Sequence, residues 1–168
     1  MTNTEISAYE PDWLREHKTV FSWCPSRSLL ASIRAYQRYA DSRNPFFVVA
    51  RKIAVLRHLF WSVVTGADVP VNSRIGGGLL LPHPNGVVIH PNAQIGPNCL
   101  IFQQVTIGTR GGRGLPSIGG HVDIGAGAKI LGGVTIGNHA LIGANAVVLT
   151  DVPSGKIAVG IPAVILDS

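Results

Sequence analysis

The sequence predicts a parallel β-helix preceded by a short helical region, and three observations predict it. Bulky aliphatic residues recur every six positions, at Ile89, Ile95, Ile101 and Ile107 and again at Ile118, Ile124, Ile130, Ile136, Ile142 and Val148. Small or β-branched residues stand four places after most of them: Ala93, Cys99, Val105, Val122, Ala128, Val134, Ala140 and Ala146. Glycine directly follows six of the aliphatics, at Gly96, Gly108, Gly119, Gly125, Gly137 and Gly143. A period of six fits neither an amphipathic helix nor a strand of free register. It fits a triangular coil with one flat side per hexad and three hexads to a rung of about 18 residues. The aliphatics then fill the interior, and the glycines are expected to supply the backbone conformations of the tight turns.

A chain of 168 residues suits a single core, and 46% hydrophobic with 14% charged residues is a globular composition. The formal charge of +5 points weakly to an anionic partner. Much of it lies in the first 60 positions (Arg34, Arg38, Arg43, Arg51, Lys52, Arg57) and not on the repeats. No basic patch interleaved with aromatics marks a nucleic-acid surface. Cys24 and Cys99 have neither zinc spacing nor a disulfide framework, and Cys99 occupies a small inward repeat position. The first ten residues are polar and lack the regions of a signal peptide, so cytoplasmic residence is expected.

In chain order, Asp12 before Trp13-Leu14 can cap a short helix, and Pro25 interrupts what precedes it. Ser26 reads as the N-cap of a helix over 27–40, and 41–45 as a turn. A second, strongly apolar helix is expected over 46–64, with Arg51, Lys52, Arg57 and His58 on it. Those charges argue against a membrane span. The helix is expected to pack on the first coil or a neighbouring subunit, with membrane-surface contact as the alternative. The chain thus divides into a helical region over 1–65 and a β-helix over 66–168.

The β-helix begins with Val69, Ile75 and Leu81, and its register slips twice. Leu81 and Ile89 are eight residues apart, with Pro82-His83-Pro84-Asn85-Gly86 between them. Ile107 and Ile118 are eleven apart, and the excess forms a projecting loop over 110–116. A solenoid accepts insertions as surface loops, where binding residues collect.

His83 lies in the first slip, and Asp68 fifteen residues before it. Parallel strands about 4.8 Å apart allow a carboxylate on one rung to meet an imidazole on the next. A carboxylate fixing one ring nitrogen leaves the other free as a general base; the alternative is two surface side chains that never meet. His121 and His139 are 18 apart and should stack on one face, but no third ligand completes a catalytic zinc site, so no metal is expected.

At these residues the chain resembles a known family. The segment from Asp68 to Ile89 with His83 in it, Gln103-Gln104-Val105-Thr106-Ile107-Gly108-Thr109, the run from Ile124 to Gly132, and Gly160-Ile161-Pro162-Ala163 resemble the serine acetyltransferases, across about 100 of the 168 residues. The resemblance implies a left-handed hexapeptide-repeat β-helix, a handedness that breaks the usual right-handed rule for parallel strands. It also implies acetyl-CoA as co-substrate and a homotrimer. It puts His83 on the family's catalytic histidine and Asp68 on the aspartate paired with it. The CoA arm would lie between two subunits against Gly108, Thr109, Ala126 and Ala144, with Lys129, Arg110 and Arg113 as phosphate candidates. Two departures bear on the acceptor. The family's aspartate before the histidine is Pro82 here, and its loop Arg-His pair is Gly114-Leu115. Val164 replaces a frequent Arg, the helical region is shorter, and the tail that docks on cysteine synthase is absent, so no such complex is expected. These features resemble the short members associated with polysaccharide O-acetylation. The expected function is acetyl transfer to a saccharide hydroxyl. Serine O-acetyltransferase is the alternative, and a non-enzymatic β-helix scaffold or a zinc-dependent hydratase are further alternatives from other classes.

Overall fold

The computed structural model describes residues 6–19 and 22–167. A short 3-10 helix, Trp13–Glu16, is capped by the Asp12 carboxylate, which accepts from the Leu14 N–H at 3.0 Å, as the sequence led us to expect. Helix α1, Pro25–Tyr39, starts earlier than expected. Pro25 takes the first helical position, where its missing N–H costs nothing, and Cys24 rather than Ser26 is the N-cap. Helix α2, Pro45–Thr65, is capped by Asn44, which accepts from Phe46 N–H at 2.9 Å, and ends on left-handed Gly66 at φ 64°.

Thirteen short strands follow, and the first twelve stack in parallel into three faces. Face I holds β1 (Arg74–Ile75), β3 (Gln94–Ile95), β6 (Ser117–Ile118) and β9 (Thr135–Ile136). Face II holds β4 (Leu100–Ile101), β7 (Asp123–Ile124), β10 (Leu141–Ile142) and β12 (Ile157–Val159). Face III holds β2 (Val88–Ile89), β5 (Thr106–Gly108), β8 (Lys129–Leu131) and β11 (Val147–Val148). With the single bridges of Leu80 to Leu100 on face II and Val152 to Ile136 on face I, the chain visits the faces cyclically, as a coil must.

On face III, Val88 pairs with Thr106, Thr106 with Lys129 and Lys129 with Val147, at steps of 18, 23 and 18 residues. The step of 23 carries the projecting loop, and the step of 20 from Arg74 to Gln94 carries 82–86. Both slips therefore fall where the spacing of the aliphatics put them. A third was not foreseen: Leu141 pairs with Ile157 only 16 residues on, so the last rung is short.

Every expected repeat aliphatic from Ile89 to Val148 is buried, in one core with Val69, Ile75 and Leu81. The role assigned to the glycines needs correction. Left-handed backbone falls on the residue just before the inward one, which is glycine at Gly78, Gly86 and Gly127 but otherwise Asn98, Gln104, His121, His139 or Asn145, at φ between 51° and 60°. Glycine after the aliphatic answers to the next rung. A Cβ on Gly96 would lie 2.5 Å from the Gly119 carbonyl carbon, and one on Gly125 would lie 2.6 Å from Ala144 N. Of these glycines, Gly108 is the exception: a Cβ there would meet nothing within 4 Å.

Both ends of the coil are covered. Leu29, Leu30 and Ile33 of α1 enter the core at the first rung. At the other end β13 (Val164–Leu166) turns back and pairs antiparallel with β12. The N-terminal segment straps one side. Buried Asn98 accepts from Asp12 N–H and donates to the Ser7 and Glu10 carbonyls, each at 2.8 Å. Arg34 pairs with Glu16 at 2.8 Å and donates to the Ile75 and Gly76 carbonyls, joining α1 to the first rung.

Between the helices, buried His58 lies 3.1 Å from Ser32 Oγ and 3.3 Å from Ser62 Oγ. Burial disfavours its cationic form and lowers its pKa from 6.5, against a smaller raising effect from the Val69 backbone. The unfolded chain therefore binds this proton more readily. Stability is complete above the unfolded value near 6.5 and is lost as pH falls toward the folded one. Thermal unfolding should show Tm dropping between pH 7.5 and 5.5, with a shallower drop in His58→Gln. Equal slopes in the two proteins would assign the acid sensitivity elsewhere.

Candidate active site

The sequence-derived candidates gather around face III and its two edges. The outward column of that face runs Asp68, Val88, Thr106, Lys129 and Val147. At the edge where the chain passes from face II to face III, turns stack in a ladder. Gly86 N–H donates to Gly66 O, Gln104 to Asn85, Gly127 to Gln103 and Asn145 to Ala126, at 2.8 to 3.0 Å. His83 belongs to the top turn of this ladder, and Ala126 and Ala144 to the lower ones. Val87 N–H donates to Pro84 O at 3.1 Å with Gly86 at φ 68°, a turn whose third position favours glycine.

His83 is exposed between its two prolines. Asp68 is exposed too, and its register partner is Val88, five residues past His83. No hydrogen bond or ion pair joins the His83 and Asp68 side chains among the described residues.

Gly108 and Thr109 lie at the opposite edge of face III, where the 110–116 loop leaves. They share an open groove of about 350 Å³ with Asp68, Val88, His90 and Thr106. Spacing alone would have stacked Gly108, Ala126 and Ala144, which are 18 apart, but the five extra loop residues pair Gly108 with Leu131. Ala126 and Ala144 do sit on neighbouring rungs. The cofactor candidates therefore line two edges of one face, not one column. Lys129 Nζ donates to Gln104 O at 2.6 Å, so its ammonium is held beside the His83 edge. Arg110 and Arg113 are exposed on the loop.

Two groove residues and one polar group in the turn ladder were missed. His90 Nδ1 accepts from Asn92 N–H at 3.2 Å, which leaves Nε2 as the protonated nitrogen. Thr106 lies on the outward column between Val88 and Lys129. Gln103 Oε1 is buried without a hydrogen-bond partner among the described residues, an acceptor in the turn ladder awaiting a donor. His90 and Thr106 could have been found by counting two and eighteen residues from Val88; the Gln103 orphan has no sequence signal.

His121 and His139 stack as expected, Nδ1 to Nδ1 at 2.8 Å, on the edge between faces I and II, away from this groove. Among the described residues no three His, Cys, Asp or Glu side chains are grouped to hold a metal ion. Buried Cys99 has its thiol pushed up to about 11 by burial, so its part is packing.

Known proteins place this geometry. Residues 116–150 match the bacterial transferase hexapeptide (six repeats) family. A serine acetyltransferase of Helicobacter pylori strain J99 is 39% identical over 128 residues, covering 74% of this chain and 72% of its own length. One of Staphylococcus xylosus is 37% identical over 152 residues, covering 89% and 67%. The chain belongs to the serine acetyltransferase-like hexapeptide-repeat acyltransferases. Its fold is accordingly the left-handed β-helix, and the enzyme class is acetyl-CoA-dependent acyl transfer. The serine acetyltransferase structure from Brucella abortus superposes with a TM-score of 0.73 at 31% identity. A serine acetyltransferase in complex with CoA superposes with 0.71 at 32%. The chain spans 58% of each of these two.

Proposed function

We propose that this acyltransferase acetylates a hydroxyl by direct attack, with His83 as general base and Asp68 as its supporting carboxylate. His83 takes the hydroxyl proton as the oxygen bonds to the thioester carbonyl carbon of acetyl-CoA. The carbon–sulfur bond then breaks, and the proton passes to the leaving thiolate. Backbone donors near Gly108 and Thr109 would receive the oxyanion in this reading. The observation that carries this reading is the arrangement around face III. The candidate base stands at one edge above Ala126 and Ala144, and Gly108 leaves the opposite edge open. Two edges of one prism are approached together by a ligand lying between two copies, which supports a homotrimer with CoA in the intersubunit groove.

For the acceptor, the relatives' names support L-serine, ahead of the saccharide suggested by the departures. The saccharide reading rests on Pro82 and Gly114-Leu115, which give no charge to hold an amino acid's ammonium and carboxylate. Acetyl-CoA turnover, followed as free thiol, should be titrated against L-serine and against a sugar panel. Saturable turnover with L-serine and none with sugars establishes the serine reading. Turnover confined to sugars assigns the two departures to saccharide use. Inertness with every hydroxyl while acetyl-CoA binds would overturn O-acetylation itself.

A further inference from the structure

Helix α2 buries one side and leaves the other apolar and uncovered in the chain. Ala54, His58 and Thr65 face inward. Phe46, Val49, Ile53, Leu56, Phe60 and Val63, spaced alternately three and four apart, form a continuous opposite stripe. Phe46 is 75% exposed, Leu56 66% and Val63 77%, values ordinary for lysine and not for a core residue. Lys52 and Arg57 flank the stripe, and α2 carries no acidic residue. The same bias holds along the two helices and their connections, although the segment before them carries Glu5, Glu10, Asp12 and Glu16. From 17 to 67 the chain has eight Lys and Arg residues (Lys18, Arg27, Arg34, Arg38, Arg43, Arg51, Lys52, Arg57) against one acid, Asp41. Exposed Trp23, edge-on to Trp61 at 5.6 Å, adds an amphipathic ring beside the same helix.

We propose that this face of α2 docks on an anionic phospholipid surface, with the helix lying in the interface rather than crossing it. No helix of the structure is long and apolar enough to cross. An apolar stripe bordered only by cations is complementary to a layer that is apolar inside and negative at its surface. A second copy meeting it α2 to α2 is a poorer occupant, because two such faces would bring Lys52 and Arg57 of both helices together with no carboxylate on either helix to answer them. Docking would also place the candidate site. Gly66, which ends α2, accepts from Gly86 N–H in the turn that carries His83. The His83 edge would then stand beside the headgroups, within reach of a hydroxyl on a lipid-linked acceptor.

The test is co-flotation of the full chain with vesicles of phosphatidylcholine alone and of phosphatidylcholine with about one-third phosphatidylglycerol. The chain should float with the anionic vesicles only, and added salt should weaken this. Paired Leu56→Asp and Phe60→Asp substitutions should reduce flotation by at least about tenfold. Both side chains are exposed, so the far-UV spectrum and Tm should hold, and light scattering should give an unchanged mass. Failure of the wild type to float with anionic vesicles would overturn the proposal, as would undiminished flotation of the doubly substituted chain. A smaller particle mass after the substitutions would overturn it as well, and would make the face a contact between copies. None of these readouts depends on which hydroxyl is acetylated.

Discussion

Replacing His83 with alanine is expected to lower kcat by about 10²- to 10⁴-fold, the range general-base removal gives, while the KM for acetyl-CoA stays nearly constant. The fold should not notice, because His83 is exposed and makes no side-chain hydrogen bond among the described residues. Steady-state turnover beside a thermal melt therefore separates chemistry from stability. Asp68→Asn should give a smaller loss of the same kind. A His83→Ala protein with kcat within about threefold of wild type would remove this residue from the mechanism.

The second large effect separates two glycines at equivalent places in the hexad. Gly125→Ala puts a methyl group 2.6 Å from Ala144 N and 2.9 Å from its Cα, atoms fixed in the next rung. Such overpacking should cost about 1–3 kcal/mol, or roughly 2–12 °C in Tm for a chain of this size. Gly108→Ala meets nothing within 4 Å and should leave Tm unchanged within about 1–2 °C. If the thioester lies against Gly108, the added methyl should instead raise the KM for acetyl-CoA about tenfold or more. Equal Tm losses in the two variants would show that Gly108 is a packing glycine like the others. An unchanged KM in Gly108→Ala would move the thioester away from that edge.

The coil was legible because its signal is periodic and repeated. Ten aliphatics at one spacing fix which side chains point inward, and the gaps of eight and eleven locate both insertions, as the steps of 20 and 23 bear out. What periodicity cannot carry was lost or misread. The strap over Ser7, Glu10 and Asp12 depends on single hydrogen bonds to Asn98, which leave no pattern. The glycines after the aliphatics were credited with a turn conformation that Asn98, Gln104, His121, His139 and Asn145 share with Gly78, Gly86 and Gly127, since close approach between rungs is a tertiary fact. The site was legible as a set of residues but not as a geometry. His83, Asp68 and Gly108 came from motifs, whereas the division of the ligand candidates between two edges follows from the loop's five extra residues. The early start of α1 is a smaller case: Pro25 reads as an interruption locally, yet fits the first turn of a helix.

The reversed strand β13 has a meaning of its own for the life of the protein at high concentration. Every rung of a β-helix is a template for another, so a coil ending in a bare parallel rung invites a second molecule to continue it, and then a third. Antiparallel partners space their hydrogen bonds differently from parallel ones. A final strand running backwards therefore offers an incoming rung the wrong pattern, and at the far end α1 offers none. The molecule is a segment of an unlimited fibre that has been given two stops, one at each end of the coil.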